Sequence, residues 1–198
     1  MEFPFNHNLK PNNRIGQFFY TEETLSEIIS LVRQPKNSVC LGTPSVFMGI
    51  HSTYPGSKTI LLDRDPRLSD ACGDLDPYIS IYDINRPTGA QRIKPGVLEI
   101  LKRKSPEIII DPPFDTIRLE YIASRITELL DYSDPSSQVL MTHQITRQPV
   151  ISRVFERIAG LNTTICEEIP INYTQRLHYH ENGRQRIVLF RFTPYTFS

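Results

Sequence analysis

Short apolar runs alternate with amphipathic stretches along most of the chain, and this alternation limits the folds that the chain can adopt. Each run is followed by turn-forming residues, as expected for a buried strand. Strands that are apolar on both faces and are separated by helices form a mostly parallel sheet covered on both sides. The sequence therefore predicts an α/β fold whose strands lie in segments 38–42, 58–63, 78–84, 107–111 and 138–143.

The stretches between these runs have helical spacing. Segment 21–34 begins at a capping Thr21 with acidic residues in its first turn, which is typical of a helix N-terminus. Asn182-Gly183 is a strong hairpin signal and predicts an antiparallel hairpin at the C-terminal end of the sheet, formed by segments 163–174 and 178–192. Further helices are predicted in 96–104, 116–132 and 149–160, and a helical turn in 45–52.

Length and composition predict one soluble domain. A chain of 198 residues can bury one sizeable core, so we expect a flexible arm over 1–14 and a single domain over 15–198. The chain contains 22 Lys and Arg residues and 22 Asp and Glu residues, so it has no net charge that would attract nucleic acid or a membrane surface. From His143 onward the sequence contains seven arginines and four glutamates. This basic excess could bind phosphates or could form a solvated surface. The three cysteines are far apart and no leader or membrane span is evident, so we expect a cytosolic or nuclear protein.

Polar side chains recur where the predicted strands end. Parallel sheets bind ligands at the carboxyl ends of their strands, and an acid closing the second strand is placed to accept hydrogen bonds from ribose hydroxyls. The turn after the first strand has one glycine where a pyrophosphate loop has two or three, so a smaller tail such as an amino acid fits better. A turn-forming role remains the alternative for each acid. The strand ends are Gly42-Thr43-Pro44, Asp63 with Asp65, Asp83 with Asn85, and Asp111 to Phe114.

Asp111-Pro112-Pro113-Phe114 is the most informative of these strand ends. Two successive prolines fix the backbone and remove two N–H groups, which leaves the Asp111 carboxylate and the Pro112 carbonyl as a rigid pair of acceptors. This pair can receive both hydrogens of an amine, and Phe114 offers a face on which a planar base could stack. A proline-terminated strand followed by a turn aromatic is the alternative interpretation.

The tetrapeptide resembles the [DNS]PP[YFW] motif of amino-methyltransferases that use S-adenosylmethionine. The resemblance extends to the N6-adenine methyltransferase-like family over residues 15 to 192, because the family's other motifs occur in the same order. This group contains the zinc-finger CCHC-type ribosomal RNA adenosine methyltransferase and the elongation factor 1-alpha lysine methyltransferase. The matching motifs are Gln17-Phe18-Phe19-Tyr20, Gly42-Thr43-Pro44-Ser45, Leu61-Leu62-Asp63-Arg64-Asp65, Tyr82-Asp83-Ile84-Asn85 and Asp111 to Phe114.

The resemblance implies a Rossmann-like methyltransferase with S-adenosylmethionine as cofactor and no metal. It implies that Asp63 holds the ribose, that Asp83 and Asn85 flank the adenine, and that residues 17–20 cover the site. The implied cofactor-binding residues are Gln17, Phe19, Tyr20, Gly42, Thr43, Pro44, Asp63, Asp83, Asn85 and Asp111. The implied catalytic residues are Asp111, Pro112, Pro113 and Phe114, and the predicted substrate contacts are Phe114, Arg147, Arg184 and Arg186.

Three functions follow from this resemblance and stay open at the level of sequence. Phe114 and the tail 183–192 resemble the RNA branch, so N6 of adenosine in structured RNA is the first expectation. The zinc-finger cysteines of that branch are absent and segment 17–20 leans toward the lysine branch, so a lysine of elongation factor 1-alpha is the alternative. A non-catalytic adaptor that keeps the fold is the third, and an activating protein partner is compatible with each. His178 and His180 share a predicted strand face, and without a third ligand they predict packing rather than metal binding.

Overall fold

The computed structural model describes residues 19–35, 37–105, 107–113, 116–166, 169, 171–174 and 186–195. These residues form one seven-stranded sheet with helices packed on it. The strands are β1 (Ser38–Leu41), β2 (Ile60–Asp63), β3 (Ile79–Ile81), β4 (Glu107–Ile110), β5 (Gln138–Gln144), β6 (Leu161–Cys166) and β7 (Ile187–Pro194). The helices are α1 (Glu22–Ser30), α2 (Pro44–Thr53), α3 (Arg67–Ala71), α4 (Pro95–Leu101), α5 (Leu119–Leu129) and α6 (Gln148–Ala159).

The strand order is β3-β2-β1-β4-β5-β7-β6. Neighbouring strands from β3 to β5 are parallel, whereas β7 is antiparallel to both β5 and β6. The chain order reverses between β1 and β4, which makes their carboxyl ends the topological switch point where α/β sheets bind ligands. The predicted α/β class, with a mostly parallel sheet and antiparallel C-terminal strands, is confirmed.

Alternate side chains of each central strand pack into two separate cores. In β1, Val39 and Leu41 belong to the core that α4, α5 and α6 cover, and Cys40 belongs to the core under α1, α2 and α3. This arrangement follows from the two-residue period of a strand, whose successive side chains point to opposite faces. Both faces of the sheet are therefore covered, as the continuous apolar runs require.

Local signals explain where several helices begin and end. The side chain of Thr21 caps α1 by accepting a hydrogen bond from the backbone N–H of Thr24 at 3.4 Å. Prolines occupy the first turns of α2, α4 and α6, where a missing N–H costs nothing. Gly160 ends α6 in the left-handed conformation, with φ of 61°.

The buried carboxylate of Glu107 fixes the opposite end of the sheet, away from the strand ends discussed above. Glu107 is 1% exposed and accepts hydrogen bonds from the backbone N–H groups of Arg33 at 3.1 Å and Gln34 at 3.0 Å. Ser38 and Gln138, on the two neighbouring strands, also donate to it. These contacts tie the chain after α1 to the start of β4, and so fix how α1 lies on the sheet.

The structure differs from the sequence prediction in four places. β3 ends at Ile81, three residues before the end of the predicted strand, and segment 45–52 lies within a full helix, α2, rather than a single turn. The short helix α3 carries no clear periodic signal and was not predicted. The predicted strand 163–174 ends at Cys166, and the hairpin turn at Asn182-Gly183 lies outside the described residues. No helix of the described chain has the length and apolar character needed to cross a bilayer.

Candidate active site

A cleft opens at the switch point between β1 and β4, with about 540 Å³ of empty space that includes the part open to solvent. Residues at the carboxyl ends of four adjacent parallel strands form its wall, as the sheet order predicts. The lining residues are Leu41, Gly42, Leu62, Asp63, Arg64, Tyr82, Asp83, Ile84, Asn85, Ile110, Asp111, Pro112, Pro113 and Ile117.

Gly42 connects β1 to the cleft and requires the absence of a side chain. Its φ of 68° lies in the left-handed region, which favours glycine. A Cβ atom at this position would stand 3.6 Å from the backbone carbonyl oxygen of Asp111. The N–H of Gly42 donates to the carbonyl of Leu62 at 2.8 Å, so the turn is fixed between the ends of β2 and β4.

Asp63 ends β2 as a buried carboxylate in the cleft wall. It is 7% exposed, and its Oδ1 accepts a hydrogen bond from the backbone N–H of Asp65 at 2.8 Å. Burial raises the pKa of the Asp63 carboxyl to about 6, partly offset by that backbone hydrogen bond. Asp65 points elsewhere, because it forms an ion pair with Arg67 at 2.6 Å that anchors the start of α3. Of the two acids, Asp63 is the one available to a ligand.

Asp83 and Asn85 form a tight turn just beyond β3. Oδ1 of Asp83 accepts from the backbone N–H and the side-chain amide of Asn85, at 3.1 and 3.0 Å. Gln91 holds this turn from outside the cleft: its Oε1 accepts from Asp83 N–H at 2.7 Å, and its Nε2 donates to the carbonyls of Asp83 at 2.9 Å and Arg86 at 3.0 Å. The Asp83 N–H is thus satisfied by a side chain just beyond the end of β3.

Asp111 lies at the end of β4, partly exposed to the cleft. The hydroxyl of Thr142 and the phenol of Tyr173 both donate to its Oδ1, the latter at 2.9 Å. Burial raises the pKa of the Asp111 carboxyl to about 6, although the hydrogen bonds from Thr142, Tyr173 and Tyr20 lower it. Asp111 is therefore a carboxylate whose charge changes near pH 6 and whose Oδ1 is held by two donors, Thr142 and Tyr173.

The segments around Tyr20 and Tyr173 pair with each other beside Asp111. Thr21 N–H donates to the carbonyl of Asn172 at 2.9 Å, and Thr174 N–H donates to the carbonyl of Phe19 at 2.8 Å. The pairing brings the rings of Tyr20 and Tyr173 to a centroid distance of 5.1 Å in a stacked arrangement. The phenol of Tyr20 also lies 3.2 Å from Oγ1 of Thr142.

A second, polar groove of about 710 Å³ begins next to the cleft. Ile117 contributes to the walls of both, so the groove adjoins the cleft whose lining contains Asp111 and the two prolines. Arg147 lies in the groove directly before α6, and Arg186 lies close by because its carbonyl accepts from Ile145 N–H at 2.9 Å. The remaining lining residues are Thr116, Arg118, Leu119, Glu120, Val150 and Val154.

Not all of the residues predicted from the sequence lie in the cleft. Gly42, Asp63, Asp83, Asn85, Asp111, Pro112 and Pro113 are in its lining, and Thr43 and Pro44 are buried directly behind Gly42 at the start of α2. Phe19 and Tyr20 are buried outside the lining, and Tyr20 faces Thr142 instead of the cleft. Arg147 lies in the wall of the adjacent groove, and Arg186 is placed only by the hydrogen bond from Ile145 N–H to its backbone carbonyl. Gln17, Phe114, Arg184, His178 and His180 lie outside the described residues.

Gln91, Thr142 and Tyr173 were not predicted from the sequence. They support the site by hydrogen bonds to residues in the cleft lining, although they are not part of that lining themselves. Thr142 could have been found, because it follows the apolar run of β5 just as Asp111 follows that of β4. Gln91 lies in a stretch with no periodic signal, and Tyr173 lies in segment 163–174, which the sequence predicts to be a hairpin strand. Within the described ranges, no group of three or more His, Cys, Asp or Glu side chains is arranged to hold a metal ion.

Solved structures with the same fold are distant in sequence. A branched-chain polyamine synthase mutein from Thermus thermophilus matches with a TM-score of 0.66 and 14% identity over 94% of this chain and 59% of its own, so this chain spans about three fifths of its length. Precorrin-6y C5,15-methyltransferase from Geobacter metallireducens matches with a TM-score of 0.59 and 11% identity, over 96% and 95% of the two chains. A Pyrococcus horikoshii protein described as a candidate RNA methyltransferase matches with a TM-score of 0.55 and 16% identity, over 96% and 94%. At such identities the likeness shows a shared fold.

Sequence comparison is more specific. No curated protein matches the chain. A family model described as "Probable N6-adenine methyltransferase" matches residues 11–192, which is nearly the whole sequence. This match confirms the family and the methyltransferase class that the order of motifs predicts. The chain belongs to the probable N6-adenine methyltransferase family.

Proposed function

We propose that the protein transfers a methyl group from S-adenosylmethionine to N6 of adenosine in RNA. One observation carries this proposal: Asp111 lies in the wall of the same cleft as Asp63, and that cleft shares Ile117 with a groove that contains Arg147. The acid that would hold the cofactor (Asp63), the acceptor that would hold the amine (Asp111) and a groove with a cationic side chain (Arg147) are thus neighbours. The family description, which names adenine N6, supports the same assignment.

The cleft residues fit S-adenosylmethionine. Asp63 is a buried carboxylate in the cleft wall. The ribose hydroxyls would donate hydrogen bonds to it, which a buried carboxylate requires. The turn of Asp83 and Asn85 would flank the adenine, and Ile84 between them offers an apolar surface. Gly42, with no side chain, would let the methionine part pass close to the end of β4.

The protein's contribution to the reaction is positioning. Bound S-adenosylmethionine supplies a methyl group that its positive sulfonium already activates. The Asp111 carboxylate and the Pro112 carbonyl would accept the two N6 hydrogens and so direct the nitrogen lone pair toward that methyl. Pro112 and Pro113 have no N–H, so no backbone donor of these residues competes for the carboxylate. With a pKa raised to about 6, Asp111 can also take up the proton that the methylated nitrogen loses.

The groove beside the cleft supports RNA as the carrier of the adenosine. Arg147 lies in its wall, and the Arg186 backbone lies beside Ile145, so both arginines could contact phosphates next to a base turned into the cleft. Unpaired RNA is the favoured form, because its bases can turn outward without breaking a long duplex. Phe114, the proposed stacking partner of the base, lies outside the described residues. The fold shared with the Pyrococcus horikoshii protein is compatible with this choice.

A lysine side chain is the second candidate, because the two acceptors in the cleft wall, the Asp111 carboxylate and the Pro112 carbonyl, could also orient an ε-amine. A lysine amine must lose its proton before it accepts a methyl group, and Asp111 is the nearest described acid for that step. Elongation factor 1-alpha, the target suggested by the sequence resemblance, would then be the partner.

Labelled S-adenosylmethionine separates these candidates. We would incubate the protein with labelled cofactor, total RNA and total protein, and then treat the product with ribonuclease or protease. Label released by ribonuclease, and recovered as N6-methyladenosine, is the expected result. Label released by protease alone would favour the lysine candidate. The absence of cofactor binding in calorimetry would instead identify a non-catalytic adaptor.

A further inference from the structure

The hydrogen bonds of Asp111 converge on one of its two carboxylate oxygens. Thr142, in β5, and Tyr173, after β6, both donate to Oδ1. Oδ2 is the oxygen that neither of them engages. The cleft wall contains Asp111 together with Pro112 and Pro113, so the same side chain contacts both the internal donors and the ligand space.

The direction of these hydrogen bonds follows from the hydrogens that are available. A threonine hydroxyl has one hydrogen, and Thr142 gives it to Asp111. The contact of 3.2 Å between Tyr20 and Thr142 must therefore be a donation from the Tyr20 phenol to Oγ1 of Thr142. Burial, together with the nearby Asp111 charge, raises the pKa of both phenols well above their usual range, so both remain donors. The hydrogens of Thr142 and Tyr173 therefore point to Oδ1 of Asp111, and the hydrogen of Tyr20 points to Oγ1 of Thr142.

The three donors come from parts of the chain that are far apart in sequence. Tyr20 precedes α1, Thr142 lies in β5, and Tyr173 follows β6. The backbone hydrogen bonds between segments 19–21 and 172–174 bring the two tyrosines together. Formation of the set thus requires both segments to be in place on the sheet.

We propose that Thr142 and Tyr173 are positioning residues that fix Asp111 through Oδ1 and leave Oδ2 to accept a hydrogen of the substrate amine. Tyr20 acts one step further out by orienting the hydroxyl of Thr142. This inference rests on the proposed methyl transfer to an amine, since it describes how that site is held. Fixing a carboxylate by charge-assisted hydrogen bonds restrains its rotation and favours its ionised form.

A titration of Asp111 tests the inference without a substrate. We would label the aspartate carboxyl carbons with ¹³C in the full chain and assign Asp111 by the resonance that is lost in Asp111→Asn. Among the described residues the titratable groups that shift the Asp111 pKa are Tyr20 and Tyr173. Tyr173→Phe and Thr142→Val each remove a donor to the ionised form, so each should raise the Asp111 pKa by about one pH unit.

Two further variants serve as controls for this titration. Thr142→Ser keeps the hydroxyl and should return the Asp111 pKa to the wild-type value. Tyr195→Phe removes an exposed phenol that donates to Glu156 at 2.9 Å and should leave Asp111 unchanged. If Asp111 titrates identically in wild type, Tyr173→Phe and Thr142→Val, the hydrogen bonds only tie segments together and the inference is wrong.

The pH profile of methyl transfer to total RNA gives the second readout. In Tyr173→Phe we expect kcat to fall about tenfold, KM for S-adenosylmethionine to stay within about twofold, and the acid limb to move up by about one pH unit. A fall in kcat with no movement of the acid limb would contradict the inference. A shifted Asp111 titration in variants of a protein that methylates no RNA would overturn the proposed function while the hydrogen-bond assignment stands.

Discussion

The side chain of Gln91 forms two hydrogen bonds with the backbone of Asp83: it accepts one from the N–H at 2.7 Å and donates one to the carbonyl at 2.9 Å. Gln91 lies outside the cleft lining, yet it fixes the turn that carries Asp83 and Asn85 into the cleft. We therefore treat Gln91 as a residue that positions the cofactor's adenine site.

Gln91→Leu should weaken S-adenosylmethionine binding about tenfold, because the turn loses three hydrogen bonds that are worth about 1 kcal/mol each, only part of which is expressed in binding. Calorimetric titration with the cofactor measures the effect. Gln148→Leu, a matched change at an exposed position at the start of α6, should bind normally. If Gln91→Leu and the wild type bind S-adenosylmethionine with equal affinity, Gln91 does not position the cofactor site.

Asp63 should make cofactor binding depend on pH. Burial raises its pKa to about 6, and ribose hydroxyls donate to the ionised form, so binding favours loss of the proton and weakens as pH falls through about 6. We expect affinity to be several-fold lower at pH 5 than at pH 7.5. Asp63→Asn should bind weakly at both values and lose most of this dependence. If the pH dependence is unchanged in Asp63→Asn, it arises from another titratable group, and Asp111 is the first one to test.

Gly42→Ala should affect both stability and cofactor binding. A non-glycine residue at φ of 68° costs about 1–2 kcal/mol of folding free energy, and the added Cβ would stand 3.6 Å from the Asp111 carbonyl. Gly73→Ala is the matched control, because Gly73 has a φ of 52° but no atom within 4 Å of the added Cβ. Denaturant unfolding should show similar losses for both variants. Cofactor affinity should fall only in Gly42→Ala, and a similar fall in Gly73→Ala would attribute it to general strain.

Arg147 should contribute to RNA binding through a phosphate. Arg147→Ala should weaken binding of unpaired RNA to a similar degree for different sequences and lower the slope of log affinity against log salt by about 0.7. Filter binding over a series of salt concentrations measures both quantities. Arg103→Ala, an exposed arginine between α4 and β4 at the opposite end of the sheet, is the control and should change neither. Identical salt slopes for Arg147→Ala and wild type would exclude this contact.

The sequence predicts the sheet and the cleft wall because both depend on short-range patterns. The apolar run before Asp63 and the one before Asp111 each define a buried strand, and strand ends in a parallel sheet meet at one edge. The sequence places Asp83 in a strand, because the alternation of Tyr82 and Ile84 continues past Ile81, where β3 ends.

The support of Asp111 was not predictable in the same way. Tyr173 was expected to pair within a C-terminal hairpin, whereas it pairs with Tyr20 near the other end of the chain. No local pattern encodes a contact between such distant segments. Tyr20 itself was expected to cover the cofactor, and its burial against Thr142 depends on the same long-range pairing.

The central claim is that Asp111 orients an adenosine amine for methylation, and nucleoside analysis of RNA treated with wild type and Asp111→Asn tests it most directly. Asp111→Asn preserves the shape of the side chain, and its cofactor affinity, measured in parallel, should stay within a few-fold of the wild-type value. Glu99→Gln, on the exposed surface of α4, is the matched control. The account predicts N6-methyladenosine from wild type and Glu99→Gln and at least a hundredfold less, about 3 kcal/mol, from Asp111→Asn. Equal yields of N6-methyladenosine from Asp111→Asn and wild type would contradict it.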